Sequence, residues 1–337
     1  MFRNFILSMT FGLLVSSMWA SNSVEQTAQE SVLKDALKKP VPIETSPERF
    51  RRLIRYGMDS ELIYHSDEKI REVYPDAEIG FLPDTQVKYM IIEEKDHPWQ
   101  KIVMRGTDNW RNVIVDAKYI STTADELGIK VHRGFYQVAK EFIAVAGRQL
   151  SKDKRLNFTG HSLGGASSII AAMLLELQGF NIGEIVTFGQ PRITNKAGGM
   201  KYKHMKVLRV VNKADLVTML APMAISIYNH FGSAVVLYPD SGYKYYPDGT
   251  DYHLVPHARR VEAEAIKLWD QWNKEAKMQK LHDLPIEKLD LRGVNYVDPV
   301  KLQGNRLAWF KRHTIDVYLK WVYQYFGNTL PGGDQPK

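Results

Sequence analysis

Gly160-His161-Ser162-Leu163-Gly164 is the stretch of this sequence whose residue types and spacing point most directly to chemistry. It fits the G-x-S-x-G pattern, in which a serine sits on a sharp turn between a strand and a helix. The serine hydroxyl must project above a sheet to attack. Flanking glycines remove side chains where strand and helix come closest, and the first free N–H groups of the helix point toward the reacting atom. The surroundings suit this. Leu156-Asn-Phe-Thr159 reads as a short strand, and Leu163 to Leu177 reads as an Ala- and Leu-rich helix, apolar on most sides and so expected to be buried. The bland alternative is an ordinary Gly-Ser loop.

A nucleophilic serine needs a base, and the base needs an orienting carboxylate. Behind such an elbow they follow in the order serine, acid, histidine. Asp215 stands where the strand Val207 to Val211 runs out into a polar turn, although a carboxylate there can also simply cap the turn. His313 precedes a final helix, the alternative being a surface histidine, and His230, His253 and His257 rival it on spacing alone. His161 is expected to point away from the reaction, and His132 to brace the turn at Gly134. The oxyanion formed in acyl transfer needs donors. Leu163 offers a backbone N–H, and Thr107, just past the strand Lys101 to Met104, offers an N–H and a hydroxyl; otherwise Arg105-Gly-Thr107 is only a tight turn.

The elements that must hold these groups alternate. Val87 to Ile92 and Lys101 to Met104 read as strands joined by the turn Lys95-Asp-His-Pro98, Phe135 to Leu150 has helical spacing, and Ile185 to Phe188 is a further strand. Strand, helix, strand in succession implies an α/β fold with a mostly parallel sheet covered by helices. Trp110, Val113, Ile114, Val115 and Ile120 are too many apolar residues for a plain loop. Either Asp108 to Val115 is a short lid or these side chains are core. After Asp251 the pattern changes: Ala258 to Leu281 reads as a charged helix with Val261, Ala265, Leu268 and Trp272 in a stripe beside Trp269. An irregular stretch follows to Asn305, and a last helix runs from Leu307 to about Phe326. The stripe packs on the core or borders an acyl channel.

With 337 residues, 44% of them hydrophobic, the chain can bury a sizeable core. The lack of cysteine excludes disulfides, thiolate metal sites and a lipid-bearing Cys anchor. The net charge of +7 is spread along the chain, and neither zinc-finger spacing nor an RNA-binding aromatic signature accompanies it, which weighs against a nucleic-acid partner. Residues 1–20 have the basic start, apolar middle and small-residue exit of a secretory signal, with an uncleaved anchor as the alternative. This implies a secreted or periplasmic protein. Residues 21–47 form a polar extension, 48–329 the main domain with an insertion at about 251–306, and 330–337 a tail expected to be disordered.

Four separated motifs resemble the fungal-type, or class 3, triacylglycerol lipases: Met104-Arg-Gly-Thr-Asp-Asn-Trp-Arg-Asn112 with Asp116; Val131-His-Arg-Gly-Phe135; Thr159-Gly-His-Ser-Leu-Gly-Gly-Ala166; and Thr187-Phe-Gly-Gln-Pro-Arg-Ile-Thr-Asn195 followed by Arg209 to Asp215. The resemblance runs from about Val87 to Tyr238. It implies an α/β-hydrolase fold without metal or organic cofactor, acting on lipid esters or small esters with transient contact to a membrane surface. By the same resemblance Ser162 is the nucleophile, Asp215 the acid, and Thr107 with Leu163 the oxyanion hole. His230 resembles a non-catalytic histidine before a strand, and His313 with Asp316, Tyr318 and Leu319 resembles the segment of the catalytic base. Phospholipase A1 or short-chain esterase activity on the same scaffold is the alternative, and a non-catalytic lipid-binding protein a more distant one. The chain departs from the family at Thr107, where serine is more usual, at Val113 and Thr194, and above all in the long stretch between Asp215 and His313.

Overall fold

The computed structural model describes residues 47–93, 97–106, 121–213, 215, 217–219, 228–238, 242–247 and 313–326. The expected leader, the extension up to residue 46, the segment 107–120 with Thr107 and Trp110, the insertion 251–306 with His253, His257, Trp269 and Trp272, and the tail 330–337 all lie outside the described residues.

In chain order the elements are helices α1 (Pro47–Leu62) and α2 (Asp67–Val73), strands β1 (Glu78–Phe81), β2 (Lys88–Glu93), β3 (Trp99–Met104), β4 (Ser121–Ala124) and β5 (Ile129–His132), and helix α3 (Arg133–Ala146). Next come β6 (Arg155–His161), α4 (Leu163–Leu177), β7 (Asn181–Phe188), β8 (Thr194–Asn195), α5 (Lys196–Lys201) and β9 (Lys206–Asn212). The series ends with β10 (Tyr228–Asn229), β11 (Ser233–Tyr238), β12 (Gly242–Tyr246) and α6 (Ile315–Phe326).

Eight strands form the main sheet in the order β1-β2-β3-β6-β7-β9-β11-β12. From β3 to β11 every neighbouring pair is parallel, and antiparallel pairs close both edges. Because successive side chains on a strand point to opposite faces, one strand feeds two cores. Ile185 of β7 joins the cluster containing Phe142 of α3 and Ile170 of α4, while Val186 joins the cluster of Leu53, Ile54, Tyr318 and Val322 from α1 and α6. The result is a helix–sheet–helix sandwich, the α/β-hydrolase arrangement. A four-stranded sheet, β10-β8-β5-β4, adjoins the stretch 107–120 in sequence.

Helix α4 is buried from Leu163 to Leu175, as its nearly uniform apolarity requires. The helix expected over 135–150 stops earlier. Gly147 gains little from helical confinement, and the chain tightens there into a 3₁₀ turn, Gly147–Gln149. The last helix, expected from Leu307, begins at Ile315: His313 and Thr314 form a turn before it, and residues 307–312 lie outside the described residues.

Candidate active site

Strand β6 runs between β3 and β7 and ends at His161; α4 starts at Leu163. Ser162 alone makes the turn, at φ 56° and ψ −126°, a conformation that costs a non-glycine residue about 1–3 kcal/mol. Its N–H donates to the Phe188 carbonyl (2.9 Å) and its carbonyl accepts from the Ala166 N–H (3.1 Å), so both neighbours hold the strained residue. The glycines follow from close approach. A Cβ on Gly164 would lie 2.1 Å from the Met104 carbonyl oxygen, and one on Gly160 would lie 2.6 Å from the same atom. Leu163, as the first helical residue, has an N–H without an intrahelical acceptor.

Three side chains distant in sequence then meet. The Ser162 hydroxyl donates to His313 Nε2 (2.7 Å), and His313 Nδ1–H donates to Asp215 Oδ2 (2.7 Å). Serine, histidine and aspartate are 7%, 3% and 0% exposed, dry enough for a hydrogen-bonded proton path. Asp215 is held from both sides: Oδ2 also accepts from the Tyr318 hydroxyl (2.5 Å) and Oδ1 from the Val217 N–H (2.9 Å). The two roles open for Asp215 in the sequence are therefore both filled, one oxygen capping the turn Val217–Met219 and the other facing the imidazole. Placing Tyr318 one turn into α6 ties the aspartate to the helix that follows His313.

His161 does not point idly away, as its place in the sequence suggested. Its Nε2–H donates to the backbone carbonyl of His313 (2.5 Å), and its Nδ1 accepts from the Tyr64 hydroxyl (2.9 Å). Burial first, and the neighbouring His313 imidazole second, push its pKa well below the ordinary histidine range, so it stays neutral and keeps one donor and one acceptor. Tyr64 follows α1 and lies against the loop after β3, where a Cβ on Gly106 would fall 2.4 Å from its hydroxyl and 3.2 Å from Ser162 Cβ. One tyrosine thus touches the elbow and the Gly106 loop, and reaches His313 through His161. Nothing in the sequence marks Tyr64; His161 was signalled only by adjacency to Ser162.

Among the described residues, the other histidines do not enter this constellation. His230 is half-buried, its Nε2–H donates to the Thr218 carbonyl (2.8 Å), and desolvation followed by Arg209 and Arg192 pushes its pKa well down. It precedes β11, as expected. His132 stacks on Phe135 with ring centres 4.1 Å apart and lies against Gly134; burial lowers its pKa to about 4. His253 and His257 lie outside the described residues, as does Thr107, whose neighbour Gly106 abuts Ser162.

Residues 101–225, which include the elbow and Asp215, match the model of Lipase (class 3). Over this segment the chain is similar to the class 3 lipases. It is 31% identical over 141 residues to a lipase of Rhizomucor miehei, covering 36% of this chain and 38% of that one. It is 33% identical over 138 residues to a secreted mono- and diacylglycerol lipase of Fusarium solani, covering 38% and 41%. The chain thus spans about two fifths of the length of these curated relatives. Lipase II from Rhizopus niveus superposes with a TM-score of 0.53 at 21% identity, over 63% of this chain and 92% of that one, a likeness of fold. The class 3 match ends at residue 225, so His313, Tyr318 and the connection before them fall beyond it.

Proposed function

We propose that this chain hydrolyses carboxylic esters of lipids through an acyl-enzyme on Ser162. The observation that carries the reading is the unbroken line of hydrogen bonds from Ser162 through His313 to Asp215 at the carboxyl end of the parallel strands. Ser162 Oγ attacks the ester carbonyl carbon as its proton passes to His313 Nε2, and Asp215 stabilises the imidazolium. The oxyanion is met by the Leu163 N–H and by Thr107. Collapse breaks the ester C–O bond, and the alcohol leaves with the proton from Nε2. Water then gives its proton to Nε2 and attacks the acyl carbon, which releases the carboxylic acid and restores Ser162. Neutral His161 holds the His313 carbonyl without placing a second positive charge beside the imidazolium.

Glycerides are the substrate class favoured by the match of residues 101–225 to the class 3 lipase model. We read the segment 1–20 as an export signal, which places the reaction outside the cytoplasm at a lipid surface. The test is active-site labelling followed by a substrate panel. An alkyl fluorophosphonate should modify Ser162 alone, and the chain should release fatty acid from glycerides faster than from phospholipids or short esters. A folded chain that neither takes the label nor cleaves any ester would end this reading.

A further inference from the structure

At the end of the sheet opposite Ser162 lies a cleft of about 1130 Å³. Its floor is built from the first residues of four adjacent parallel strands: Trp99 of β3, Arg155 of β6, Asn181 of β7 and Lys206 of β9. Helix α1 supplies a wall with Arg51, Arg52 and Arg55. Seven-residue β6 runs from this cleft to the elbow, so at about 3.3 Å per residue the two sites are roughly 20 Å apart.

Among the described residues the charges around the cleft do not balance. Lys101 and Asp59 neutralise each other at 2.7 Å, with Tyr74 also bonded to Asp59, and Glu61 contacts His65. What remains is Arg51, Arg52, Arg55, Arg155 and Lys206, all exposed, against Glu184, which accepts from Tyr56 and stands beside Lys206 in the strand register. Among the described residues no ion pair involves Arg51, Arg155 or Lys206. Cations that only keep a protein soluble have no reason to converge on one recess from four strand starts and a helix. Guanidinium groups on the α1 wall and at the floor suit the forked geometry of phosphate oxygens.

We propose that this cleft binds a soluble ligand carrying two or more phosphate groups. Several converging cations can share a multiply charged anion, and a recess of this size admits a compact ligand better than a flat bilayer. The site does not depend on hydrolysis at Ser162.

The test uses the full chain with Ser162→Ala, so that lipids are not consumed. Inorganic pyrophosphate is titrated calorimetrically at low salt, and vesicles with roughly one third phosphatidic acid in phosphatidylcholine are tested by flotation. The triple change Arg51→Gln, Arg155→Gln, Lys206→Gln is compared with Lys130→Gln, Lys140→Gln, Lys203→Gln, which removes the same charge from exposed positions elsewhere. Saturable pyrophosphate binding that weakens at least about tenfold in the cleft variant, and little in the control, supports the site. Single Arg155→Gln should weaken it in the same direction, which keeps the comparison usable if the triple variant melts early. No saturable binding, equal weakening in both triples, or cleft-dependent binding of vesicles without binding of pyrophosphate would each overturn the proposal.

Discussion

The two ends of the parallel strands are built by opposite rules. At the carboxyl end the chain is dry and tight: Gly160 and Gly164 bring backbone against backbone, Ser162 is strained, and Asp215, His313 and His161 are buried and fully engaged. At the amino end Arg155 and Lys206 open into water around a cleft, and the charges are left where solvent can screen them. The same four strands carry both ends. A sheet therefore does not dictate a kind of surface; the loops and helix starts decide it, and reactive groups belong where backbone crowding already excludes water.

The comparison breaks most sharply at the carboxyl end. Ser162→Ala or His313→Asn should lower ester turnover by about 10⁴-fold or more while circular dichroism and the melting temperature stay near wild type. A variant retaining a tenth of the turnover would remove that residue from the catalytic line.

Glycine replacements probe the crowding at each end. In Gly164→Ala the new methyl meets backbone, the Met104 carbonyl, and urea melts should show a loss of about 3 kcal/mol or more, or no folded protein. Gly183→Ala, at the cleft end, meets the Asn157 side-chain oxygen at 2.2 Å and the stem of Arg155, atoms able to swing aside. Its cost should be about 1–2 kcal/mol. Equal losses would dissolve the distinction between the ends.

Acidity should also act unevenly. His161, His230 and His132 have pKa values below the ordinary histidine value of about 6.5, so between their folded values and 6.5 the unfolded chain binds more protons. Stability is complete above about pH 6.5 and falls as pH drops toward the folded values, by up to about 1.4 kcal/mol per pH unit for each histidine. Melting temperatures taken from pH 7.5 down to 5 should decline, with a shallower slope for His161→Gln. An unchanged slope in that variant would show that His161 is not held neutral. The mildest of these effects concerns Tyr64. Tyr64→Phe removes the bond to His161 and should cut kcat about tenfold with KM little changed. A change confined to KM would assign Tyr64 to substrate binding instead.

Much of the carboxyl end was legible in the sequence because its constraints are local. A serine between glycines, a strand before it and a uniformly apolar helix after it are all contiguous in the chain. Asp215 was legible as a polar residue just past an apolar strand. His313 was placed by resemblance more than by physics, since nothing local separates it from His253 or His257. Tyr64 was not legible: its role arises because α1 crosses the sheet and sets a hydroxyl beside a histidine 97 positions away. The cationic cleft escaped for the same reason, as Arg51, Arg155 and Lys206 are scattered in sequence and meet only when the strands align.

Asp215 and His313 are 98 positions apart, yet His313 leads directly into a segment that is itself anchored: α6 buries Ile315, Tyr318 and Val322 against α1 and the sheet. Closing a loop costs only about 0.6 kcal/mol more each time its length doubles, whereas each of those buried side chains contributes about 1.5–3 kcal/mol. The connection is therefore free to vary in length without loosening the base. Severed within it, the chain should behave as two complementary fragments, a large one bearing Ser162 and Asp215 and a small one that brings the His313 imidazole together with α6.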